Sequence, residues 1–217
     1  MPADPPPENP SLDSEETAWL AQYYTNSKTH DTVEADENPE GDPAHVSAQL
    51  FPVSTQKYRL GEEVGSGGMK SVHRAHDLNA NRDVAMAKLR EASAPPRRMR
   101  RFVREARITA ALEHPNIVPV HEIGVDETGK PYFTMKLLGG ETLHSVLKKL
   151  SSGDAAFQKK YTLARLLQIF QSVCNAAAFA HSRGIIHLDL KPSNIQVGDF
   201  GEVLVLDWGL AKMMEQS

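Results

Sequence analysis

The sequence predicts an α+β fold for the part of the chain that follows residue 56. Short segments of strand character, separated by glycines and polar turns, begin at Tyr58, and two later segments carry apolar residues at helical spacing. The acidic residues and prolines that dominate residues 1–56 become less frequent at the same point. Of the 217 residues, 40% are apolar and 24% are charged, which is typical of a chain that buries a core.

Residues 1–56 are expected to form a disordered acidic tail. They hold eleven acidic side chains and one lysine, a net charge of −10, so the remainder of this −4 chain carries +6. Eight of the fourteen prolines also lie before Val53, and few aliphatic residues are present to offset the entropy of ordering. Within this tail, Asp13–Tyr24 has the cap and the apolar spacing of a short helix, which is either a docking segment or a transient helix.

Three strands are predicted first, at Tyr58–Val64, Ser71–Ala75 and Asp83–Leu89. A glycine-rich segment joins the first two, and a polar turn joins the second and third. A helix is predicted over residues 97–112, directly after two prolines. Its apolar face is predicted to hold Met99, Phe102, Ala106, Thr109 and Ala110, with Arg98, Arg101, Arg104 and Glu105 off that face.

Two further strands, Val118–Gly124 and Pro131–Leu138, are predicted to form a hairpin with a glycine-containing turn. The longest helix is predicted over residues 163–182, and short strands at Ile195–Val197 and Val203–Leu206 complete the pattern. The apolar positions that predict the long helix are Leu166, Phe170, Val173, Ala177 and Ala180, with Leu167, Cys174 and Ala178 alongside.

A glycine-rich segment, Gly65–Val72, lies between the first two predicted strands. Backbone N–H groups of such a loop can approach phosphate oxygens because glycine has no Cβ. A glycine-rich hairpin can equally be only a turn, so this segment is a weak signal by itself.

The strongest chemical signal is the segment His187–Asn194. It places a carboxylate, a cation and an amide within six residues, at Asp189, Lys191 and Asn194, and Asp207 follows the last strand. Phosphoryl transfer requires such groups: a carboxylate that accepts a hydroxyl proton, a cation for the γ-phosphate and oxygen ligands for Mg²⁺. The glycine-rich loop, a helix carrying a glutamate and this segment also occur in the order that this chemistry requires.

In these motifs the sequence resembles the eukaryotic-like serine/threonine protein kinases of bacteria, from Tyr58 to about Lys212. The resemblance implies a two-lobe kinase fold, with an antiparallel five-stranded sheet and one helix over residues 57–138. Residues 139–217 would then be a partial, mainly helical second lobe. The segments that carry the resemblance are His187–Asn194, Val205–Lys212, Arg104–Ala106 and His114–Val118.

The same resemblance implies a role for each residue of the motifs. Asp189 would be the catalytic base, Lys191 would neutralise the γ-phosphate of ATP, and Asn194 and Asp207 would hold Mg²⁺. A lysine two residues after the aspartate implies that the acceptor is a serine or threonine hydroxyl of a protein substrate. The implied ATP contacts are the glycine-loop residues Val64, Gly65, Ser66, Gly67, Gly68, Met69 and Lys70, the adenine-pocket residues Val72 and Ala85, the gatekeeper Met135, and the hinge residues Lys136 and Leu138.

The chain departs from the family at the lysine that contacts the phosphates. The family's third strand carries Val-Ala-x-Lys, whereas this strand reads Val84-Ala85-Met86-Ala87 and Lys88 comes one residue late. Side chains alternate across a strand, so Lys88 points to the opposite face unless a bulge corrects the register. The glycine loop carries an additional lysine, Lys70, an arrangement that resembles the with-no-lysine kinases. We interpret Lys70 as the replacement and expect Glu105 to pair with it.

Two segments imitate nucleotide-binding motifs. Asp199-Phe200-Gly201 spells the family's magnesium motif, but it precedes the strand that should come before that motif, so we interpret it as a turn. Gly124–Pro131 nearly spells a P-loop, but a proline replaces the hydroxyl residue that would bind Mg²⁺ and no helix follows. This segment is predicted to be a hairpin turn.

Other features exclude several classes of protein. The arginines at 97–107 suggest binding of a nucleic acid, but a solvated helix face is the favoured interpretation, so no nucleic-acid partner is expected.

The histidines and the single cysteine give no metal site. The histidines show no metal-binding spacing, and His187 is interpreted as a structural partner of the magnesium loop. The single Cys174 excludes an intrachain disulfide and a thiolate cluster. No segment approaches the ~18 apolar residues of a membrane span and no secretory signal is evident, so we expect a cytoplasmic protein.

The resemblance stops before the family's pattern is complete. Gly209 lies eight residues before residue 217, so we expect this sequence to lack the family's activation segment and later helices, and helix 163–182 to expose apolar surface. Leu188 also replaces the arginine that pairs with a phosphorylated activation segment in the family. Three hypotheses follow: an active serine/threonine kinase, a truncated pseudokinase or half of a split kinase whose missing lobe comes from a second chain, or a non-functional truncated product.

Overall fold

The computed structural model describes residues 57–90 and 95–214. The predicted acidic tail at residues 1–56, with its helix at Asp13–Tyr24, lies outside the described residues. Within the described ranges, none of the helices is both long enough and apolar enough to cross a membrane.

The first part of the fold is a five-stranded antiparallel sheet, as predicted. Its strands are β1 (Tyr58–Ser66), β2 (Lys70–Asp77), β3 (Arg82–Leu89), β4 (Val120–Val125) and β5 (Pro131–Lys136). They lie in the order β1-β2-β3-β5-β4. The β1–β2 hairpin stays paired as far as Ser66 and Ser71, so both strands reach further into the glycine-rich segment than predicted.

One helix, α1 (Pro96–Ala111), packs on this sheet. It begins with a proline, which suits the first turn of a helix because an N–H there has no partner within the helix. Glu105 is buried, with 3% of its surface exposed, so its predicted place off the apolar face is wrong. A lysine from the sheet contacts its carboxylate and makes this burial possible. The core between helix and sheet contains Ala87, Phe102, Ala106 and Phe133.

The second part of the fold consists of helices and short strands. Its elements are β6 (Glu141–Thr142), α2 (Leu143–Ser151), α3 (Ala155–Lys160), α4 (Leu163–Ser182), β7 (Ile185–Ile186), a 3₁₀ turn (Pro192–Asn194), β8 (Ile195–Val197), β9 (Val203–Val205) and β10 (Lys212–Met213). The strands form a three-stranded sheet, β6-β8-β9, and a two-stranded pair of β7 with β10. Two helices, α2 and α3, are absent from the sequence predictions, although each directly follows a residue whose side chain caps its first turn.

Helix α4 has the predicted bounds and two apolar faces. One face is buried and contacts β7 and β9. The other is open: 73% of Leu163, 58% of Leu167 and 66% of Phe170 is exposed. The prediction that this helix exposes apolar surface is confirmed. Of the apolar positions that predict the helix, Val173 and Ala180 are buried, whereas Phe170 lies on the open face. The buried residues are Ile169, Val173, Ala176 and Ala180.

Candidate active site

The glycine-rich segment forms a tight connection between β1 and β2. The N–H of Gly67 donates to the carbonyl of Lys70 at 2.9 Å, and the N–H of Arg90 donates to the carbonyl of Met69 at 3.2 Å. A Cβ added at Gly68 would meet no atom within 4 Å. Packing within the described residues therefore does not require glycine at position 68. Because glycine has no Cβ, a ligand can approach the backbone closely here.

Lys70 joins the glycine loop to two other parts of the fold. Its Nζ contacts Oε1 of Glu105 on α1 and lies 3.1 Å from Oδ1 of Asp207. The Lys70 side chain is 18% exposed and that of Glu105 is 4% exposed. Burial by itself would lower the pKa of Lys70, but the two carboxylates outweigh it and raise the pKa above its usual value. The predicted pair of Lys70 with Glu105 is therefore present, with Asp207 as a third member.

Lys88 lies on the other face of β3, as the alternation of side chains predicts. Its Nζ contacts Oδ2 of Asp126 in the β4–β5 turn at 2.8 Å. Against the effect of burial, hydrogen bonds from Lys88 and Thr128 hold the pKa of Asp126 below its usual range. Ala87 takes the inward position beside Phe102 and is fully buried. Lys88 therefore stabilises the β4–β5 hairpin turn and does not pair with Glu105.

Asp189, Lys191 and Asn194 converge as their spacing predicts. Oδ2 of Asp189 accepts hydrogen bonds from Nζ of Lys191 at 2.7 Å and from Nδ2 of Asn194 at 3.1 Å. Nδ2 of Asn194 also donates to the Asp189 carbonyl at 2.9 Å. The bond from Lys191, partly opposed by burial and assisted by Asn194, lowers the pKa of Asp189 and keeps the carboxylate ionised.

His187 connects this loop to the segment that carries Asp207. Its Nδ1 accepts from the N–H of Asp189 at 3.2 Å, so the neutral ring carries its proton on Nε2, which donates to the carbonyl of Leu206 at 2.9 Å. The ring also packs against Trp208, with centroids 4.6 Å apart. The interpretation of His187 as a structural partner of the magnesium loop agrees with these contacts.

The segment Asp207–Gly209 has an unusual backbone conformation at its aspartate. Asp207 has φ = 60°, the left-handed region that non-glycine residues seldom adopt, and Leu188 has the same value in the other loop. Trp208 is 1% exposed and anchors the segment in the core. A Cβ on Gly209 would lie 3.0 Å from Oε2 of Glu105, so a larger residue here would require the Glu105 carboxylate or the loop to shift.

The predicted adenine pocket lies on one face of the sheet. Ala85 and Met135 are paired across β3 and β5, and Val72 is paired with Ala87 across β2 and β3. Strand β5 ends at Lys136, the first of the two predicted hinge residues, and so is two residues shorter than the predicted strand Pro131–Leu138. The N–H of Lys136 donates to the carbonyl of Pro119 at 3.1 Å, so this N–H is already bonded within the fold. Leu138 follows within the hinge connection.

The two imitations of nucleotide-binding motifs are turns. Phe200 is 97% exposed at the tip of the β8–β9 turn, and Asp199 lies 3.5 Å from Lys160. In the other segment, the N–H of Asp126 donates to the carbonyl of Lys130 at 2.8 Å, which closes the β4–β5 hairpin.

Sequence reasoning missed one contact of this site. Arg101 on α1 is exposed, as a solvated face predicts, and its Nε also donates to the carbonyl of Gly209 at 3.1 Å. Nothing in the local sequence signals this contact, because the two residues are 108 positions apart.

Comparison with known proteins shows which family this chain resembles. The family model described as "Protein kinase domain" matches residues 58–217. The serine/threonine-protein kinase PknD of Protochlamydia amoebophila is 37% identical over 172 residues, which is 77% of this chain and 17% of that protein. The kinases of the same name from Chlamydia caviae and Chlamydia pneumoniae are 41% and 42% identical over 74% and 72% of this chain, and 18% and 17% of their own lengths.

This chain spans less than a fifth of the length of these curated relatives. The matched region contains the five-stranded sheet, the glycine loop and both loops of the candidate site. The chain therefore belongs to the protein kinase family, as a eukaryotic-like serine/threonine kinase catalytic domain.

Proposed function

We propose that this chain binds ATP with Mg²⁺ and transfers the γ-phosphoryl group to a serine or threonine hydroxyl of a protein. The observation that carries the proposal is the contact of Lys70 with both Glu105 and Asp207, which brings the glycine loop, α1 and the candidate magnesium loop together at one point. A kinase that lacks the lysine of the third strand needs another cation at this position to contact the phosphates of ATP.

The residues of the site fit the nucleotide and the metal. Mg²⁺ prefers oxygen ligands and binds through one or two side chains together with substrate phosphates. The Asn194 amide and the Asp207 carboxylate are oxygen donors of this kind and would hold the metal. Lys70 and the open space at Gly68 suit the phosphates, and bound Mg·ATP supplies the phosphoryl group and part of the charge neutralisation.

The other charged residues then have complementary roles. Asp189 is ionised and would accept a hydrogen bond from the substrate hydroxyl, which orients its oxygen and receives its proton. Lys191, at 2.7 Å from Asp189, would add positive charge where the transferred group becomes more negative. His187 holds the Asp189 backbone through its Nδ1 and so keeps this carboxylate in place.

The open face of α4 favours a second candidate. Leu163, Leu167 and Phe170 are each more than half exposed, which is unusual for a soluble surface. In this alternative the chain binds nucleotide but transfers phosphate only when a further polypeptide, such as a second chain with the rest of the lobe, covers this face.

Thermal melts with Mg·ATP and a phosphotransfer assay test both candidates. The proposal predicts a melt that rises with Mg·ATP and transfer to a generic protein substrate that Asp189→Asn lowers at least about 100-fold. Asp154→Asn, a change at the helix α3 cap, is the matched control and should leave transfer unchanged. Binding without transfer favours the second candidate, and a melt that Mg·ATP does not move contradicts both.

A further inference from the structure

We propose that Arg101 is a positioning residue that fixes the segment Asp207–Gly209 against α1. The inference rests on the proposed function only for the identity of the ligand that Asp207 would hold. The contact itself is a hydrogen bond from Nε of Arg101 to the carbonyl of Gly209 at 3.1 Å.

Arg101 and Glu105 act on the same segment from one helix. They are four residues apart, so their side chains emerge one turn apart on the same side of α1. Arg101 contacts the Gly209 carbonyl, and Oε2 of Glu105 lies where a Cβ on Gly209 would be only 3.0 Å away. Lys70 completes the connection by contacting Glu105 and Asp207. A shift of α1 would therefore move both ends of Asp207–Gly209.

The remaining contacts of this segment do not replace Arg101. Trp208 anchors the middle residue in the core, and the N–H of Ala211 donates to the Trp208 carbonyl at 3.0 Å, which closes a turn containing Gly209. The bond from Ala211 to Trp208 lies within the turn and does not link it to α1. Burial raises the pKa of Glu105, and the positive charges of Lys70 and Arg101 both oppose this increase. Arg101 thus favours the ionised pair and holds the loop that the pair touches.

Hydrogen exchange of the full chain without nucleotide tests the contact directly. We expect Arg101→Met, which keeps much of the side chain's length but has no donor, to raise exchange of the Ala211 amide about tenfold or more, while amides of β2 and β3 keep their protection. Arg101→Lys should keep part of this protection, because an ammonium can donate to the same carbonyl. Arg100→Met is the matched control: it removes one positive charge from an exposed position of the same helix without removing the donor to Gly209.

A second measurement concerns the metal. At saturating ATP, the Mg²⁺ concentration for half-maximal thermal shift should rise several-fold in Arg101→Met and stay unchanged in Arg100→Met. The inference is overturned if the two variants behave alike in exchange, or if Arg101→Met also loses protection throughout the sheet, which a merely structural role would produce. If Mg·ATP does not shift the melt of the wild-type chain but Arg101→Met still raises exchange of the Ala211 amide, the proposed function is refuted and the positioning role stands.

Discussion

Replacing Lys70 with methionine tests which lysine serves the nucleotide. Methionine keeps much of the side chain's length but removes the charge that contacts both Glu105 and Asp207. The matched control is Lys88→Met, which removes a lysine of the same sheet whose Nζ contacts Asp126. The two variants therefore differ in the partner that each lysine loses.

The cost in stability follows from burial. The Glu105 side chain is 4% exposed, so Lys70→Met leaves a buried carboxylate without its closest counter-charge. Removing one partner of a buried pair costs about 3–5 kcal/mol, and we expect the lower end because 18% of Lys70 is exposed. In a domain of this size such a loss lowers Tm by about 6–12 °C. Lys88→Met breaks a more exposed pair, which costs about 1 kcal/mol or less.

Scanning fluorimetry of the purified chain with and without Mg·ATP separates stability from binding. At about 100 times its dissociation constant, a ligand that binds only the folded state adds about 2.7 kcal/mol, or about 5–11 °C here. We expect Lys88→Met to keep this shift. A 100-fold loss of affinity in Lys70→Met leaves about 0.4 kcal/mol, a shift of about 1 °C. The double variant Lys70→Met with Glu105→Gln should be more stable than Lys70→Met yet equally insensitive to nucleotide, because no buried charge is left unpaired.

Two outcomes would refute this reasoning. If Lys70→Met retains the full Mg·ATP shift, or Lys88→Met abolishes it, the assignment of the phosphate-binding lysine is wrong. If Lys70→Met melts with the wild type in the absence of nucleotide, the argument from the burial of Glu105 is wrong, because a buried carboxylate cannot lose its counter-charge at no cost.

Three further predictions follow from individual contacts. Asp207→Asn should abolish the Mg·ATP thermal shift while Asp199→Asn keeps it, and the reverse would show that the exposed turn is the magnesium motif. Gly140→Ala should lower the free energy of unfolding by about 1–3 kcal/mol in denaturant titrations, because its φ is 78° and a Cβ would overlap a carbonyl of β8; an unchanged midpoint would contradict this. The pKa of Asp126 is lowered, against burial, by its bond from Lys88, so its contribution is complete above the ordinary pKa of 3.8 and lost as pH falls below it. Acid titrations should therefore show a shallower loss of stability in Asp126→Asn, and parallel curves would refute this.

Local patterns predict much of the fold. Alternating apolar residues and polar turns predict the five strands, and the spacing in α4 predicts its bounds at 163–182. The short helices α2 and α3 escape such a pattern, because six to nine residues contain too few turns to show a period. In α4 the apolar spacing fits two faces equally well, so it cannot tell that Ile169 is buried and Phe170 exposed.

Part of the candidate site can also be predicted from local sequence. Asp189, Lys191 and Asn194 lie within six residues, so their convergence needs only a local loop, and the sequence predicts it. The outward orientation of Lys88 is also predictable, because side-chain alternation along a strand depends on backbone geometry alone.

The sequence by itself therefore determined the family, the strand pattern, and the chemistry of the loop that contains Asp189. Only the tertiary structure decided that Glu105 is buried, that Asp207 joins the expected pair of Lys70 and Glu105, and that Arg101 reaches Gly209. These contacts join residues 35 to 137 positions apart. Their formation depends on how α1 packs against the sheet and the Asp207 loop, and no local periodicity or spacing records that packing.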